Sequence, residues 1–415
     1  MNRDANVLRR LMPLWILATC CGLALHSTAH ADQTPVAVCD WAFTDDLDIT
    51  PADLSSLLVW LDASTIEAAD GEDVNVWPDQ SGNENDLTAA SAQPPFLKAT
   101  GANGLPSVGF GQELDRSDPR FMDVVLPEPH QPGDGPAVFA ILTIPEAIPN
   151  TMRVGVVWGN YQSSPNYNVE VHTNGRTRWY WNNGQRNLFG SADARQDAPV
   201  LVSWHRNAAQ SRIETYLNGT PDIQNTNPGT TLAFGQSWRL GFDFRTGGFF
   251  VPLIGDIAEF ALYDRALLDN ERLLIEHSLA TKYGIETPYR RIVMLDGSGS
   301  FDPDGDSLSY EWTVNGELVG TDEMTPALLT CGEFEATLTV TNEAAQSDQC
   351  SVSFEVTPGV TGDLNCDGKV GGADLGILLS AWGPCADPDN CPADLTGDGV
   401  VGGADLGVLL SNWTG

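Results

Sequence analysis

The chain is built largely from short runs in which apolar and polar residues alternate. Such alternation has the two-residue period of a β-strand with one buried face. Asn-Gly dipeptides separate several runs, and Asn-Gly favours the positive φ angles of a two-residue hairpin turn. About 230 residues, from 55 to 287, follow this pattern, which predicts antiparallel hairpins in one large β-sandwich or jelly roll. The clearest runs are 154–158, 167–172, 177–181, 200–204, 213–217 and 238–242, and the dipeptides are Asn174-Gly175, Asn183-Gly184 and Asn218-Gly219.

A helix is predicted where this region ends. Asp269 suits an N-cap, and Gly284 suits the left-handed position that follows a helix. From Leu268, directly before Asp269, to Tyr283 the apolar residues form a partial stripe with helical spacing. We expect this helix to close the region. The stripe consists of Leu268, Ile275, Leu279 and Tyr283.

Ordered motifs in this region resemble a known family. They are SLLVWLDAS at 56–64, WPDQSGN at 77–83, YLNG at 216–219, GDIAEF at 255–260, YDRAL at 263–267 and KYGI at 282–285. In this order they resemble a concanavalin A-like, laminin-G-type (LamG) jelly-roll domain of bacterial secreted proteins. The resemblance implies this fold for residues 55–287, after a lead-in at 32–54. It implies no single function, because the fold carries lectins, glycosidases and structural modules alike.

The acidic residues of the jelly roll favour a non-catalytic domain. Retaining glycosidases need two carboxyl groups about 5–5.5 Å apart, and no Glu-x-Asp-x-x-Glu pattern occurs. Glu170 stands alone between two valines, and Asp256 and Glu259 are three residues apart, so in a regular strand they would face opposite ways. We therefore expect no enzyme; the alternatives are a polysaccharide hydrolase or lyase with an atypical site, or a purely structural envelope protein.

Trp179 and Trp181 are the candidate glycan-binding residues, together with Arg178, and the two tryptophans alternate with Arg178 and Tyr180 along the strand. Residues two apart in a strand share a face, so both indoles lie on one side and would stack on a sugar ring if that side is exposed. If it faces the sandwich interior, they are core residues, and the sequence leaves both possibilities open. The acidic turn at 79–83 is explained by an Asx turn, with calcium binding as the alternative.

Residues 288–358 predict a second, smaller domain. LDGSGSFDPDGD at 295–306 precedes a strand that ends at Trp312, and further alternating runs follow. This pattern resembles a polycystic-kidney-disease (PKD) domain, an Ig-like β-sandwich that serves mostly as a spacer. Asp302, Asp304 and Asp306 suit a tight turn, and a calcium site is the alternative.

The last segment, 359–415, contains a duplication with an offset of 31 residues (394 − 363). Each copy is a 12-residue acidic loop with glycine at position 6, the arrangement that wraps oxygen ligands around calcium. The sequence thus predicts two calcium ions as cofactors. The ligands would be Asp363, Asn365, Asp367, the Lys369 carbonyl and Asp374 in the first loop, and Asp394, Thr396, Asp398, the Val400 carbonyl and Asp405 in the second.

Each loop is followed by an apolar stripe at helical spacing, and we expect the two stripes to pack together. The loop–helix halves, with Asp at position 12, resemble type I dockerin. The resemblance implies a small all-α calcium-binding domain that docks on a cohesin-like protein. Thr396 at position 3 departs from the family's ligands, and Gly372-Ala373 and Gly403-Ala404 replace hydroxyl residues that often contact cohesin. The stripes are Leu375, Leu378, Leu379 and Trp382, then Leu406, Leu409, Leu410 and Trp413.

Charge narrows the choice of partners. The 56 acidic and 21 basic residues give a formal charge of −35, whereas nucleic acids and anionic lipids are bound by Lys and Arg. We therefore expect no nucleic-acid partner and no membrane insertion after signal cleavage. Carbohydrate and a cohesin-like protein are the expected partners.

The N-terminus and the cysteines predict export to the medium or the cell surface. Three arginines, an apolar stretch at 11–25 and Ala29-His30-Ala31 form a signal peptide at 1–31. Lipidation at Cys20 and a retained anchor are weaker alternatives, because Thr19 fits the lipidation signal poorly and the stretch is short for a span. Six cysteines remain, which predicts disulfides; we expect Cys331–Cys350 and Cys385–Cys391, with Cys39 and Cys366 unassigned.

Overall fold

The computed structural model describes most of the chain beyond the predicted signal peptide. Residues 1–31 and the predicted cleavage before Asp32 lie outside the described residues. Within the described part, no helix has both the length and the apolar character needed to cross a bilayer. The described ranges are 33–44, 47–111, 120–126, 135–146, 155–160, 167–172, 174–181, 186–207, 210–225, 237–245, 249–288, 290–387 and 391–414.

Strands dominate the chain up to the first helix. Short 3-10 turns occur at Pro51–Asp53 and Ala63–Thr65. The strands are β1 (Asp40–Thr44), β2 (Leu57–Asp62), β3 (Val76–Trp77), β4 (Leu87–Ala89), β5 (Phe96–Ala102), β6 (Leu105–Gly109), β7 (Met122–Val125), β8 (Ala137–Thr143), β9 (Val156–Asn160), β10 (Tyr167–Val171), β11 (Arg176–Trp181), β12 (Arg186–Asp193), β13 (Pro199–Asn207), β14 (Arg212–Leu217), β15 (Thr220–Asn225), β16 (Ser237–Leu240), β17 (Phe242–Arg245), β18 (Phe249–Pro252) and β19 (Asp256–Tyr263).

Helices and further strands follow. They are α1 (Asp269–Tyr283), β20 (Arg291–Asp296), β21 (Ser309–Val314), β22 (Glu317–Gly320), β23 (Met324–Leu329), β24 (Gly332–Thr341), β25 (Ser347–Val356), α2 (Gly372–Ser380), β26 (Gly383–Pro384), β27 (Val400–Val401) and α3 (Gly403–Ser411).

Two antiparallel sheets form the large sandwich, which confirms the predicted jelly-roll architecture. The first sheet has the order β12-β11-β10-β9-β16-β7-β4-β3. The second has the order β15-β14-β13-β8-β19-β6-β5, and β2 pairs with β19. One apolar cluster combines side chains from both sheets, including Trp158 and Trp238, whose rings stack 5.1 Å apart. Burial of large apolar side chains between the sheets is the main force that holds them together.

The hairpin between β14 and β15 forms as the sequence predicts. Asn218 and Gly219 have φ values of 49° and 72°, the positive angles of a type I′ turn. Gly175, between β10 and β11, also has a positive φ of 77°. The predicted turn at Asn183-Gly184 lies outside the described residues.

Helix α1 covers the outer side of the second sheet. Ile275, Leu279 and Tyr283 share an apolar cluster with Phe139 and other strand residues. The helix begins one residue earlier than predicted, because Leu268 is its N-cap and the Glu271 carboxylate accepts a hydrogen bond from the Leu268 N–H at 2.8 Å. Gly284 ends it in the left-handed conformation, as the sequence predicts.

The chain divides into two compact units. The described residues within Met1–Ala42, Met294–Thr325 and Glu335–Ser353 form one unit, and those within Phe43–Val293, Pro326–Phe334 and Phe354–Gly415 form the other. A four-stranded sheet has the order β22-β21-β24-β25, with Trp312, Leu338 and Val340 fully buried, and a three-stranded sheet has the order β1-β20-β23. The predicted domain boundaries remain predictions.

The C-terminal segment contains two nine-residue helices, α2 and α3, and a short pairing of β26 with β27. The sequence predicts an all-α segment, and the structure adds this short strand pair to the two helices. Leu378 and Leu409 are buried in a shared core with Val370 and Val401. The predicted stripes are wrong in part, because four of their residues are exposed rather than packed. These are Leu379, Trp382, Leu410 and Trp413.

Disulfides join Cys39 to Cys350, Cys331 to Cys366 and Cys385 to Cys391. The predicted Cys385–Cys391 bridge is confirmed, and the predicted Cys331–Cys350 bridge is wrong. Closeness in sequence did not decide the pairing, because a disulfide depends on Cα atoms within about 4.4–6.8 Å of each other. The fold brings together cysteines 311 and 35 positions apart, with Cα separations of 6.0 and 5.9 Å.

Candidate functional site

Trp179 is a core residue of the sandwich and not a sugar-stacking surface. It is fully buried, and its indole Nε1 donates a hydrogen bond to Thr215 Oγ1 at 2.8 Å. The face of β11 that carries Trp179 is turned to the interior of the sandwich, which corrects the ligand-stacking interpretation for this residue. Trp181 ends the same strand, and its side chain lies outside the described residues.

The opposite face of β11 carries Arg178, the third predicted binding residue. Its guanidinium forms an ion pair of 2.9 Å with Glu170 on β10, and both side chains are buried. The Arg178 guanidinium also lies over the rings of Tyr180 and Phe189, at 4.7 and 5.0 Å from their centroids. Strand pairing places Glu170, Arg178 and Phe189 directly opposite one another on three adjacent strands.

Phe189 is an exposed aromatic residue on this face, with 42% of its surface accessible. His172 contacts the ring edge-on at a centroid distance of 5.3 Å. We call Phe189, His172, Arg178 and Glu170 the Phe189 platform. The sequence did not identify Phe189, because the alternation within β12 does not reveal which residues of β11 lie opposite it. Only the strand register, which pairs Phe189 with Arg178, identifies it.

A second row of residues crosses the same sheet beside the platform. Asp123, Arg239, Gly159, Asn168 and Tyr180 lie opposite one another in successive strand pairs, and so share one face. Arg239 Nε donates to Asp123 Oδ1 at 2.6 Å. Five strands at ~4.8 Å spacing extend over about 19 Å. Asn168, Arg239 and Tyr180 of this row are buried, so the row stabilises the sheet beside the platform.

The other carboxylates considered from the sequence are engaged by lysines. Lys98 contacts Asp256 at 2.7 Å, while Lys282 contacts Glu259 at 2.6 Å and Asp62 at 2.7 Å. Burial raises the pKa of Glu259, and Lys282 opposes that rise. Asp256 and Glu259 thus have different partners on different elements.

Two further acidic turns are held by the protein's own N–H and O–H groups. The Asp79 carboxylate accepts hydrogen bonds from the backbone of Trp60, Ser81 and Asn85 and from the Ser81 hydroxyl, at 2.6–3.0 Å. Asp302 Oδ1 accepts from the Asp304 N–H at 2.8 Å. These contacts favour the turn interpretation at both places, because the carboxylate oxygens already have donors.

In the first C-terminal loop three carboxylates converge. Oxygens of Asp363, Asp367 and Asp374 lie within 4.8 Å of one another, the one such group of three found in the described part of the chain. Asp363 and Asp374 are buried. Burial raises the pKa of Asp363, and the neighbouring carboxylates of Asp374 and Asp367 add to that rise. The group consists of oxygen ligands only, as hard cations prefer.

The two loops repeat the same hydrogen bonds. Asp363 accepts from the N–H groups of Asp367 and Gly368 at 3.1 and 2.9 Å, and Asp394 accepts from the equivalent Asp398 and Gly399 at 3.2 and 2.7 Å. The position-12 carboxylates also match. Asp374 accepts from Gly371, and Asp405 from Gly402, at 2.8 and 2.7 Å. The duplication is therefore structural as well as sequential.

The position-3 and position-7 residues differ between the loops. Asn365 Nδ2 donates to Asp367 Oδ2 at 2.9 Å, whereas the Thr396 hydroxyl donates to Asp405 Oδ1 at 2.9 Å. The Lys369 ammonium contacts Glu286 at 2.7 Å, away from the carboxylate group, which leaves its carbonyl as the predicted ligand. Val400 belongs to the short strand β27.

Comparison with known families supports the class of the sandwich. Residues 143–271 match the Laminin_G_3 model, described as the concanavalin A-like lectin/glucanases superfamily. This range contains Glu170, Arg178 and Phe189. Together with the two-sheet architecture, the match supports a concanavalin A-like lectin/glucanase domain of the laminin G type in this part of the chain.

Solved structures are similar to this chain at low identity and with low TM-scores. The botulinum neurotoxin serotype D/C binding domain is 12% identical over 73% of this chain and 74% of its own, with a TM-score of 0.42. Domain 4 of the Geobacillus stearothermophilus extracellular arabinanase AbnA, in complex with arabinotriose, is 12% identical over 55% and 98%, with a TM-score of 0.37. The Ruminococcus gnavus IT-sialidase CBM40, bound to α2,3-sialyllactose, is 13% identical over 34% and 83%, with a TM-score of 0.30. Such scores transfer no ligand to this chain, and no curated protein matches it.

Proposed function

We propose that the protein is an exported, non-catalytic adaptor with a glycan-binding sandwich and a calcium-dependent docking segment at its C-terminus. The observation that carries the glycan proposal is the exposed ring of Phe189 beside the Arg178–Glu170 ion pair, on a domain of the lectin/glucanase class. An exposed aromatic ring held on a strand by a buried ion pair suits stacking on the apolar ring face of a sugar.

Charge favours a neutral glycan. Arg178 is paired with Glu170 and Arg239 with Asp123, so these pairs add no net positive charge to this face. The formal charge of −35 on the whole chain would repel an anionic polysaccharide at low salt. Uncharged hexose or pentose polymers are therefore the proposed ligand class.

The glycan proposal is tested by affinity electrophoresis and a glycan array with the full chain. Phe189→Ala should reduce retention by a neutral polysaccharide about tenfold or more, since one aromatic contact is worth about 1–3 kcal/mol. Phe301→Ala is the matched control, because Phe301 is also exposed, at 52%, and lies outside the sandwich. Reducing ends released from the polysaccharide would instead favour an enzyme, and equal retention by both variants would contradict the site.

The C-terminal loops would hold two calcium ions. Asp363, Asn365, Asp367 and Asp374 would supply side-chain oxygens in the first loop, and Asp394, Thr396, Asp398 and Asp405 in the second, with the carbonyls of Lys369 and Val400. The donor set fits calcium, which takes six to eight hard oxygen ligands. A bound cation would relieve the repulsion between the converging carboxylates and join each loop to the start of its helix.

The exposed apolar side chains of the C-terminal segment support a docking role. Leu379 and Trp382 after the first loop, and Leu410 and Trp413 after the second, expose 42–52% of their surfaces. Large apolar groups that remain exposed in repeated positions favour a protein contact. The proposed partner is a cohesin-like protein, and residues 288–358 would act as a PKD-like spacer. Three disulfides favour an oxidising, extracellular setting.

A further inference from the structure

Cys366 occupies a position in the first calcium loop that calls for glycine. It is the fourth loop residue, and its φ of 60° lies in the left-handed region. The equivalent residue of the second loop, 31 positions on, is Gly397, with a φ of 73°. A side chain makes the left-handed conformation costly, whereas glycine adopts it freely. The first loop therefore keeps the conformation of the second despite a residue that disfavours it.

A disulfide holds Cys366 in place. Its partner is Cys331, which lies between β23 and β24, 35 positions earlier in the chain. A cross-link between residues this far apart reduces the conformational entropy of the unfolded chain. The tip of the first loop is thus covalently constrained by a residue outside the loop.

The fastened residue lies between two predicted calcium ligands. Asn365 and Asp367 flank Cys366, and the Asp367 N–H donates to Asp363 Oδ1 at 3.1 Å. Fixing Cys366 therefore limits the motion of ligands at positions 3 and 5 and supports the turn that directs them towards Asp363 and Asp374. A loop already held in its binding shape loses less entropy when the ion enters.

We propose that the Cys331–Cys366 disulfide is a positioning element of the first calcium site, which it preorganises. The inference rests on the proposed calcium binding of the C-terminal loops. The first loop is thus held by a cross-link to a residue outside it. The second loop has Gly397 at the equivalent position and lies next to the Cys385–Cys391 bridge. In that bridge the Cys391 carbonyl accepts a hydrogen bond from the Asp394 N–H at 2.9 Å. The two sites then differ in how they are prepared for the ion.

The test measures calcium affinity by isothermal titration in full-length protein with only one site left intact. An Asp405→Ala background isolates the first site, and an Asp374→Ala background isolates the second. In each, Cys331→Ser with Cys366→Gly removes the cross-link and supplies the glycine found in the second loop, so that backbone strain alone does not lower affinity. We expect first-site affinity to fall about tenfold and second-site affinity to stay within twofold.

The matched control is Cys39→Ser with Cys350→Ser, which removes a disulfide outside the C-terminal segment and should leave the affinities of both sites unchanged. Unchanged first-site affinity without the Cys331–Cys366 bridge would overturn the inference while leaving calcium binding intact. A parallel loss at both sites would also overturn it, because that result indicates general loss of the segment's fold. Absence of calcium binding at both sites of the otherwise unaltered chain would instead refute the proposed function.

Discussion

His205 shows how a single buried side chain governs a property that its sequence neighbourhood does not reveal. The ring lies in β13 between Phe139 and Tyr216, at centroid distances of 5.0 and 6.0 Å. Its Nε2 is buried without a hydrogen-bond partner among the described residues. Burial, reinforced by the positive charge of Arg272, lowers the pKa of His205 well below 6.5.

This shift predicts a loss of stability in mild acid. The folded state keeps His205 neutral, whereas the unfolded chain binds a proton near pH 6.5. The free energy of unfolding should therefore be fully maintained above pH 6.5 and fall as the pH decreases towards the folded pKa, by up to about 1.4 kcal/mol per pH unit. Urea unfolding at pH 5 to 8 measures the free energy of unfolding, and His205→Phe should remove this part of its pH dependence. An identical slope in the variant would contradict the prediction.

Other residues show where sequence reasoning works and where it stops. Asn218 and Gly219 form the predicted turn because the φ preference is local. Trp179 could not be assigned to the core or the surface in advance, because alternation gives two faces without saying which is buried. Phe189 and Cys331 needed the register and the tertiary fold, since their partners are Arg178 on another strand and Cys366 in another segment.

Among the elements, the short helices α2 and α3 differ most from expectation. Their apolar stripes are too wide for the contact that they share, so Leu378 and Leu409 are buried while Leu379 and Leu410 remain exposed. Nine-residue helices are marginal alone. The loops that cap them, with Asp374 and Asp405 accepting hydrogen bonds at their first turns, must supply part of their stability.

The exposed tryptophans after these helices give an element-level prediction. Trp382→Ala with Trp413→Ala should weaken calcium-dependent binding to a panel of type I cohesin domains more than tenfold, because both rings offer large apolar contacts. Biolayer interferometry in calcium and in chelator measures this binding. The free energy of unfolding should change by less than about 1 kcal/mol, since both side chains are on the surface. Full binding by the double variant would exclude this surface as the contact.

At the scale of the whole molecule, the antiparallel sandwich was predictable. Apolar and polar residues alternate with a period of two over many short segments, and this pattern is typical of half-buried β-strands. The order of strands in each sheet was not, because pairs such as β2 with β19 join residues about two hundred positions apart. The repeat at 363 and 394 was visible in the sequence, and its common hydrogen bonds follow from the shared spacing. The adaptor account combines a lectin-like domain with this repeated segment.

Calcium stoichiometry tests that account most directly. Equilibrium dialysis of the full chain against calcium, with metal analysis, should give two bound ions per molecule, and one in Asp374→Ala or in Asp405→Ala. Each aspartate would be the position-12 ligand of its own loop, so the losses should be separate and additive. If the chain without substitutions retains no calcium at millimolar supply, or if both variants retain two ions, the calcium-dependent docking role is wrong.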